Sequence, residues 1–381
     1  MFKIVKTFFL VSFLSLVTAS YAAITPNPTA PQVAAKSYIL QDFASGQILA
    51  EKNSEQRLPP ASITKLMTAY VVSNELQAGN ISLSDDVLIS EKAWRMVGSR
   101  SFIEVNTKVP VEVLLRGMII QSGNDAAVAL AEHVAGDEEI FAQMMNQYAQ
   151  KLGMSNTNYR NSTGLPDPDH YTTAKDIAIL STAIIRDFPE HYKWYAEKAF
   201  SYNNITQHNR NKLLWRDSSV DGLKTGHTEA AGYCLAASAL RNDMRLISVV
   251  LGTESENARA QETQKLFNYG FRFFETHDLY KAQDKIVDIK IWKGTGDKVD
   301  LGLEKALSVT VPRGRYKELV ATTNIQQLVV APVEAGSSLG EVEIRLDDSL
   351  IASKPLVALQ TIEQGSWWRR LIDAVLMLIW T

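Results

Sequence analysis

Cysteine and histidine are scarce in this chain of 381 residues, which contains one cysteine and six histidines. The single cysteine, Cys234, excludes an intramolecular disulfide, and its apolar setting predicts a small buried side chain rather than a nucleophile. The histidines show no metal-ligand spacing and no His-Glu-X-X-His motif, so we expect no metal and no organic cofactor. A basic surplus is also missing, since the formal charge is −3, which argues against a nucleic-acid-binding protein.

An apolar segment lies near each end of the chain. Near the start, Lys3 and Lys6 precede the apolar run Phe8–Val17, and Ser20-Tyr21-Ala22 offers small residues where a signal peptidase cleaves. We therefore predict a signal peptide over residues 1–22. The alternative is a membrane-spanning helix, for which this run is short compared with the roughly 20 residues that a span requires.

The remaining chain is predicted to form two domains. Residues 23–278 place short strand patterns before and after several helical patterns, and this order predicts an α+β domain in which helices cover an antiparallel sheet. Residues 279–362 alternate apolar and polar side chains between turns, and they predict a small all-β C-terminal domain without catalytic residues. In the first domain, helices are predicted over 62–76, 111–120, 126–134, 176–185 and 257–274, and strands over 37–40, 47–50, 220–225, 233–240 and 246–251.

The last segment, residues 366–381, is predicted to form an amphipathic helix. At about 100° per residue, Arg369, Arg370 and Asp373 share one arc of the helix. The opposite arc is apolar and contains Trp367, Trp368, Leu371, Ile372, Val375, Leu378 and Ile379. Such a helix suits the membrane interface, with tryptophans at the level of the lipid headgroups. The alternative is a terminal helix whose apolar side packs on the protein's own core.

Ser62-Ile63-Thr64-Lys65 places a hydroxyl and an amine one helical turn apart, directly after Pro59-Pro60. A serine hydroxyl is a weak nucleophile until a base removes its proton. A lysine can be that base if burial or a nearby cation lowers its pKa. The spacing is common by chance, so this motif gains weight only from the others.

Two further motifs follow in the chain. Ser122-Gly123-Asn124 lies in the break between two predicted helices, where a corner directs a hydroxyl and an amide into a cleft. Lys224-Thr225-Gly226 lies on a predicted strand and is followed by His227. Its lysine and threonine suit a carboxylate, and its glycine leaves room for a substrate backbone along the strand. The three motifs together predict serine acyl transfer.

These residues resemble the penicillin-recognising serine enzymes, a family of penicillin-binding proteins and serine β-lactamases, and within it the low-molecular-mass D-alanyl-D-alanine carboxypeptidases. The resemblance covers nearly the whole chain, including the β-rich domain and the tail. It implies that Ser62 attacks the carbonyl between the last two D-alanines of a peptidoglycan pentapeptide. It further implies that Lys65 takes the serine proton, kept partly neutral by Lys224, and that Ser122 relays a proton to the leaving D-alanine.

The resemblance also implies a set of substrate contacts. Asn124 would position the substrate and Lys65, while Gly226 would leave space for the substrate backbone. The terminal carboxylate would be held by Lys224, Thr225 and Arg259. The backbone N–H groups of Ser62 and His227 would form the oxyanion hole, with no role as a base for the His227 side chain. Gly98-Ser99-Arg100-Ser101 resembles a loop that borders the site and shapes deacylation.

The same resemblance implies acylation by β-lactam antibiotics. The tail and the signal peptide predict a peripheral anchor on the periplasmic face of the bacterial cytoplasmic membrane, where a peptidoglycan substrate lies. Three other functions remain as alternatives. A class A β-lactamase would need a Glu-X-X-Leu-Asn segment between Asn124 and Lys224, and none occurs there. A DD-endopeptidase or transpeptidase uses the same acyl-enzyme and is not separated by sequence. A non-catalytic peptidoglycan-binding scaffold would not require Ser62, Lys65 and Lys224 together.

Overall fold

The computed structural model describes residues 29–380 of the chain, so the predicted signal peptide over residues 1–22 lies outside the described residues. The strands of the first domain are β1 (Ser37–Asp42), β2 (Ile48–Lys52), β3 (Asp86–Leu88), β4 (Lys108–Pro110), β5 (Ala199–Tyr202), β6 (Ile205–His208), β7 (Val220–Thr228), β8 (Gly232–Arg241) and β9 (Met244–Thr253). Its helices are α1 (Lys65–Gln77), α2 (Glu91–Trp94), α3 (Val111–Ile120), α4 (Asn124–Ala135), α5 (Glu138–Leu152), α6 (Ala174–Asp187), α7 (Pro189–Tyr192), α8 (Leu213–Arg216) and α9 (Glu256–Phe273). Two 3₁₀ turns accompany them, Ala61–Thr64 and Lys193–Ala196.

The central sheet of this domain is antiparallel, in the order β2-β1-β9-β8-β7. Helices α1 and α3 to α6 cover one face, and α9 packs against β8 and β9 on the other. Strand β9 shows why both faces are buried, since Ile247 and Val249 enter the core on the helical side while Leu246 and Val250 enter the core under α9. The predicted α+β fold with a helix-covered antiparallel sheet is confirmed.

Several element boundaries differ from prediction in ways that matter for the site. The predicted helix over 62–76 is two elements, because the Ser62 segment forms a tight 3₁₀ turn before α1 begins at Lys65. The helix predicted from residue 126 begins at Asn124, so the break between α3 and α4 shortens to Gln121–Gly123. Helix α5 and the hairpin β5-β6 were not predicted, although Gly136 ends α4 and the Asp137 side chain caps the start of α5.

The second domain is all-β, as predicted. Its strands are β10 (Phe274–Tyr280), β11 (Lys285–Trp292), β12 (Lys298–Gly302), β13 (Leu307–Pro312), β14 (Leu319–Ile325), β15 (Val329–Val330), β16 (Ser338–Leu346) and β17 (Ser349–Ala358), with a 3₁₀ turn at Tyr316–Glu318. One sheet has the order β14-β16-β17-β12-β11-β15, and β10 pairs with β13 in another. The boundary predicted between 278 and 279 lies inside β10, which begins directly after α9.

Helix α10 (Trp367–Trp380) follows the second domain. Its polar arc contacts the domain, because the Asp373 carboxylate accepts a hydrogen bond from the backbone N–H of Lys293 and Arg369 pairs with Asp297. Its apolar arc points away, with exposed fractions between 52% and 80% for Trp367, Trp368, Leu371, Ile372, Val375 and Leu378. The apolar side is therefore not packed on the protein's own core. No helix in the described part of the chain is long and apolar enough to cross a membrane.

Candidate active site

A cleft of about 420 Å³ lies between the edge of the central sheet and the helical layer. Its walls come from the 3₁₀ turn, the turn between α3 and α4, the loop 163–165 and the edge strand β7. Among the predicted site residues, those that line the cleft are Ser62, Ser122, Asn124, Thr225, Gly226, His227 and Arg259. Lys65 and Lys224 are buried directly behind this wall. The structure thus brings all the predicted site residues together.

The turn that carries Ser62 is held in place by two close approaches of backbone. Ala61 has a φ of 48°, a left-handed conformation that strains an alanine. A Cβ on Gly164 would lie 1.8 Å from the Ala61 carbonyl oxygen, and a Cβ on Gly226 would lie 3.1 Å from the Pro60 carbonyl oxygen. A side chain on Gly164 would collide with the Ala61 backbone and one on Gly226 would crowd Pro60, so both glycines let neighbouring backbone approach the turn that carries Ser62.

The Lys65 amine lies 3.1 Å from Ser62 Oγ. It also donates to Asn124 Oδ1 at 2.7 Å and to the Thr163 carbonyl oxygen at 2.6 Å. Both of these partners accept and do not donate, since the Asn124 amide nitrogen is engaged with the Val97 carbonyl. A neutral amine therefore uses its two N–H groups on these partners and directs its lone pair at the Ser62 hydroxyl.

Burial lowers the pKa of Lys65 from its ordinary value to about 7. The nearby carboxylates of Asp125 and Glu138 oppose this effect, while the positive charge of Arg210 adds to it. Desolvation is the largest cause, and the expected repulsion between Lys65 and Lys224 acts on the pKa of Lys224. A substantial neutral fraction at pH 7 follows from this pKa.

Ser122 occupies a left-handed backbone conformation with a φ of 70°, at the corner between α3 and α4. Its side chain is 2% exposed, and in the described part of the chain its Oγ has no hydrogen-bond partner. A buried hydroxyl without a partner costs free energy, and this one lies in the cleft wall. Its placement leaves the hydroxyl available to a substrate atom.

The Asp125 carboxylate holds the loop that borders the cleft. It is fully buried and accepts hydrogen bonds from the backbone N–H of Ser101 at 2.8 and 2.9 Å. One residue earlier, the backbone N–H of Asn124 donates to the Ser99 carbonyl at 2.7 Å. Gly98 and Ser99 line the cleft, as predicted for the segment Gly98-Ser99-Arg100-Ser101.

Strand β7 forms the opposite wall. It is the last strand of its sheet, so one of its edges is not paired with another strand of that sheet. Its backbone groups there can pair with an extended substrate, and Gly226 carries no side chain to obstruct it. The His227 ring is exposed and stacks on Tyr233 with ring centroids 3.9 Å apart.

The end of the cleft near Arg259 is cationic. Arg259 is 4% exposed, donates to the Gly226 carbonyl at 3.3 Å and lies over the Tyr233 ring. Burial lowers the pKa of Lys224 well below its usual range, and the charges of Lys65, Arg210 and Arg259 act in the same direction. An arriving carboxylate would relieve this repulsion, so the cluster suits an anionic group.

Four residues of this site had no role predicted from the sequence. Arg210 lies in a polar loop between β6 and α8, and Tyr233 follows a glycine on β8; neither position carries a motif. Asp125 directly follows Asn124 and belongs to none of the three motifs. The Thr163 carbonyl is a backbone acceptor, which no sequence pattern indicates. Within residues 29–380, no group of three or more His, Cys, Asp or Glu side chains is placed to hold a metal ion.

Two family profiles match the chain. The first, described as D-alanyl-D-alanine carboxypeptidase of peptidase family S11, matches residues 24–255, and the second, described as the C-terminal domain of penicillin-binding protein 5, matches residues 274–364. The chain is 43% identical over 374 residues to D-alanyl-D-alanine carboxypeptidase DacC of Escherichia coli strain K12, which covers 96% of this chain and 94% of that protein.

Solved structures of penicillin-binding proteins also resemble this chain. Penicillin-binding protein 5 from Haemophilus influenzae superposes with a TM-score of 0.86 at 43% identity, covering 88% of this chain and all of that chain. Penicillin-binding protein D2 from Listeria monocytogenes, in its ampicillin-bound form, has a TM-score of 0.59 at 30% identity and covers 63% of this chain and 100% of its own.

Proposed function

Because the chain belongs to the D-alanyl-D-alanine carboxypeptidase family, we propose that it removes the terminal D-alanine from peptidoglycan pentapeptides through an acyl-enzyme on Ser62. The observation that carries this proposal is the contact between the buried Lys65 amine and Ser62 Oγ at 3.1 Å, beside a cationic pocket. The amine supplies the base that a serine nucleophile requires. The pocket supplies a place for the carboxylate that distinguishes a carboxypeptidase substrate from an internal peptide bond.

Acylation begins when Ser62 Oγ attacks the carbonyl carbon between the two D-alanines and its proton passes to Lys65 Nζ. The backbone N–H groups of Ser62 and His227 stabilise the negative charge that forms on the carbonyl oxygen. The carbon–nitrogen bond then breaks, and Ser122 relays the proton held by Lys65 to the departing amine, which returns Lys65 to its neutral form. Water attacks the ester in turn, and Lys65 accepts its proton and passes it to Ser62 Oγ as the ester bond breaks. The shortened peptide leaves, with the Ser62 hydroxyl and the neutral Lys65 restored.

The terminal carboxylate binds at the end of the cleft formed by Lys224, Thr225 and Arg259. Two buried cations meet there, and the Thr225 hydroxyl adds a donor. Binding the carboxylate stabilises the protonated form of Lys224, which burial otherwise disfavours. The substrate therefore supplies the anion that this part of the site lacks.

Acylation of Ser62 by β-lactam antibiotics belongs to the same proposal. A strained lactam amide presents a carbonyl and a nearby carboxylate in the arrangement that the two ends of the cleft recognise. The ampicillin-bound form of the Listeria monocytogenes relative supports it. No part of the proposal requires a cofactor, because side chains and water account for every step.

We also propose that the enzyme is exported and acts at the periplasmic face of the cytoplasmic membrane. The signal-peptide pattern over 1–22 supports export. The exposed apolar arc of α10 supports a peripheral anchor that lies in the interface. A peptidoglycan substrate requires this location, since the polymer lies outside that membrane.

Release of D-alanine tests the proposed activity. The mature protein and its Ser62→Ala variant are incubated with a short peptide ending in D-Ala-D-Ala, and free D-alanine is measured. We expect release by the wild type alone, together with covalent labelling by a fluorescent penicillin that Ser62→Ala abolishes. Label on Ser62→Ala would contradict the assignment of the nucleophile. Labelled wild type without D-alanine release would favour an endopeptidase or transpeptidase instead.

A further inference from the structure

A second cavity, of about 540 Å³, adjoins the catalytic cleft. The two cavities share Gly164, Leu165 and Thr228 in their walls, so a peptide that leaves the cleft past Thr228 enters the second cavity directly. The remaining walls come from the segment 57–61 that precedes Ser62, from the loop 166–171 and from Ala230. The mechanism above uses none of this space.

The proposed function fixes the direction in which a substrate crosses the site. Its terminal carboxylate lies at Arg259 and Thr225, and its scissile carbonyl lies at Ser62. The residues before that carbonyl then continue along the unpaired edge of β7, through His227 and Thr228. The second cavity begins where this path leaves the cleft.

The walls of the second cavity combine apolar side chains with one cationic side chain, Arg57, that has no carboxylate partner among the described residues. Pro59, Pro60 and Leu165 supply the apolar part. The Arg57 guanidinium lies 4.6 Å from the centroid of the Tyr171 ring and donates to Asn156 Oδ1 at 3.0 Å. In the described part of the chain, Arg57 forms no ion pair with a carboxylate.

The other charged group in these walls is already engaged. The Asp167 carboxylate lies 3.9 Å from the Arg160 guanidinium, and Arg160 is not part of the cavity wall. Arg57 is therefore the group that an anionic ligand in this cavity would meet. The Tyr171 ring and the Asn156 amide hold its guanidinium, which reduces the conformational entropy lost on binding.

The distances along the chain agree with a peptide ligand. The segment from Arg57 to Ser62 spans at most about 17 Å when fully extended, and the arginine side chain bridges part of that length. In an extended substrate, the residue two positions before the acylated D-alanine lies about 7 Å from it, before its own side chain is counted. A carboxylate on that residue can meet the guanidinium within the cavity.

We propose that the second cavity is a subsite for the part of the substrate that precedes the D-Ala-D-Ala pair, and that Arg57 binds a carboxylate on the residue two positions before the acylated D-alanine. The subsite rests on the proposed function, because the orientation of the substrate depends on it. It makes the enzyme selective for acidic peptides without adding a catalytic group.

Two peptides that differ in one group test the subsite, acetyl-Glu-Lys-D-Ala-D-Ala and acetyl-Gln-Lys-D-Ala-D-Ala. We expect the wild type to hydrolyse the glutamate peptide with a kcat/KM about threefold higher, the size of an exposed ion pair. Arg57→Gln should lose this preference and hydrolyse the two peptides with equal kcat/KM. Arg345→Gln, which removes an arginine of the second domain that lines neither cavity, should keep the preference.

The outcomes separate the subsite from the activity. Equal kcat/KM values for the two peptides in the wild type, or a preference that survives in Arg57→Gln, would overturn the subsite while the activity stands. Unchanged stoichiometric labelling of Arg57→Gln by fluorescent penicillin shows that its catalytic site is folded. Failure of the wild type to release D-alanine from either peptide would instead overturn the proposed function, and the subsite with it.

Discussion

Lys65 combines nearly complete burial with three hydrogen-bonding partners, and this combination determines its chemistry. An ammonium in that position uses all three of its N–H groups on Ser62, Asn124 and Thr163. A neutral amine keeps the last two partners and turns its lone pair to the serine. The same arrangement of partners therefore suits both protonation states of Lys65, and the pKa of Lys65 determines which state is present at a given pH.

The rate of acylation should depend on pH through this lysine. Because burial lowers the pKa of Lys65 to about 7, the neutral base accumulates as the pH rises through that value. We expect the second-order rate constant for acylation by a penicillin to increase across the range from about pH 5.5 to about pH 8.5. Stopped-flow measurement of penicillin acylation over that range checks the prediction.

Arg210 provides the control for the pH profile. Its positive charge lowers the pKa of Lys65, so Arg210→Gln should favour the ammonium and move the midpoint of the profile to higher pH. If the midpoint stays in place or moves to lower pH, the pH dependence does not report the ionisation of Lys65. A profile without any rise would show that another group takes the serine proton.

Among individual residues, the sequence identified the side chains that form motifs but not the groups that orient these side chains or shift their pKa values. Ser62, Ser122 and Lys224 could be found because a hydroxyl or an amine at a fixed spacing points to acyl transfer. Arg210 could not, since an arginine in a polar loop is ordinarily a solvated surface residue. The Thr163 carbonyl could not either, because every residue has one and only the fold selects it.

Gly164 and Gly226 govern how the elements of the site fit together. Gly226 lets β7 lie against the turn that carries Ser62, and Gly164 lets the loop 163–165 lie against the same turn from the other side. The prediction of one continuous helix over 62–76 did not include a turn at Ser62 that these glycines could contact. Its replacement by a 3₁₀ turn followed by α1 could not be predicted, since both conformations suit the same sequence and tertiary packing selects between them.

Replacing Gly164 by alanine should disable the site. The new Cβ would lie 1.8 Å from the Ala61 carbonyl oxygen, so either the turn that carries Ser62 or the loop 163–165 that binds Lys65 must shift. Gly164 also has a φ of 86°, and a left-handed alanine costs about 1–2 kcal/mol of stability. We expect at least about a tenfold loss in the rate of penicillin acylation, as for other displaced catalytic groups.

Gly153→Ala is the matched control. Gly153 ends α5 with a φ of 81°, and no atom lies within 4 Å of its added Cβ. This variant bears the backbone strain without the collision, so its melting temperature should fall by less than that of Gly164→Ala, while acylation stays at the wild-type rate. Equal acylation rates in the two variants would refute the argument from the Ala61 contact.

The two domains are joined by more than the chain connection at α9. Thr276 donates to the Asp42 carboxylate at 2.7 Å, and the Ser45 and Thr310 hydroxyl oxygens lie 2.6 Å apart. These contacts tie the first hairpin of the catalytic domain to β10 and β13. The all-β character of the second domain could be predicted from its alternating pattern, whereas these contacts could not, because short polar side chains in a turn carry no pairing signal.

The orientation of α10 determines which surface of the molecule can meet a membrane. Asp373 and Arg369 attach the helix to the second domain through its polar arc, and this leaves the apolar arc outward. A fixed helix of this kind would hold the catalytic domain at a defined distance from a membrane. The alternative prediction, in which the apolar side packs on the core, is inconsistent with the exposure of its tryptophans.

Removal of residues 366–381 should therefore release an active enzyme from membranes. The matched variant Leu371→Glu/Val375→Glu keeps the helix but places two charges on its apolar arc, and it should reduce binding to vesicles containing anionic lipid to a similar degree. Both proteins should keep the wild-type rate of penicillin acylation, because neither change reaches the cleft. Co-sedimentation with vesicles measures the binding. Retention of the truncated protein in the membrane fraction would show that another surface holds the enzyme there, and loss of acylation would show that the tail supports the catalytic domain instead.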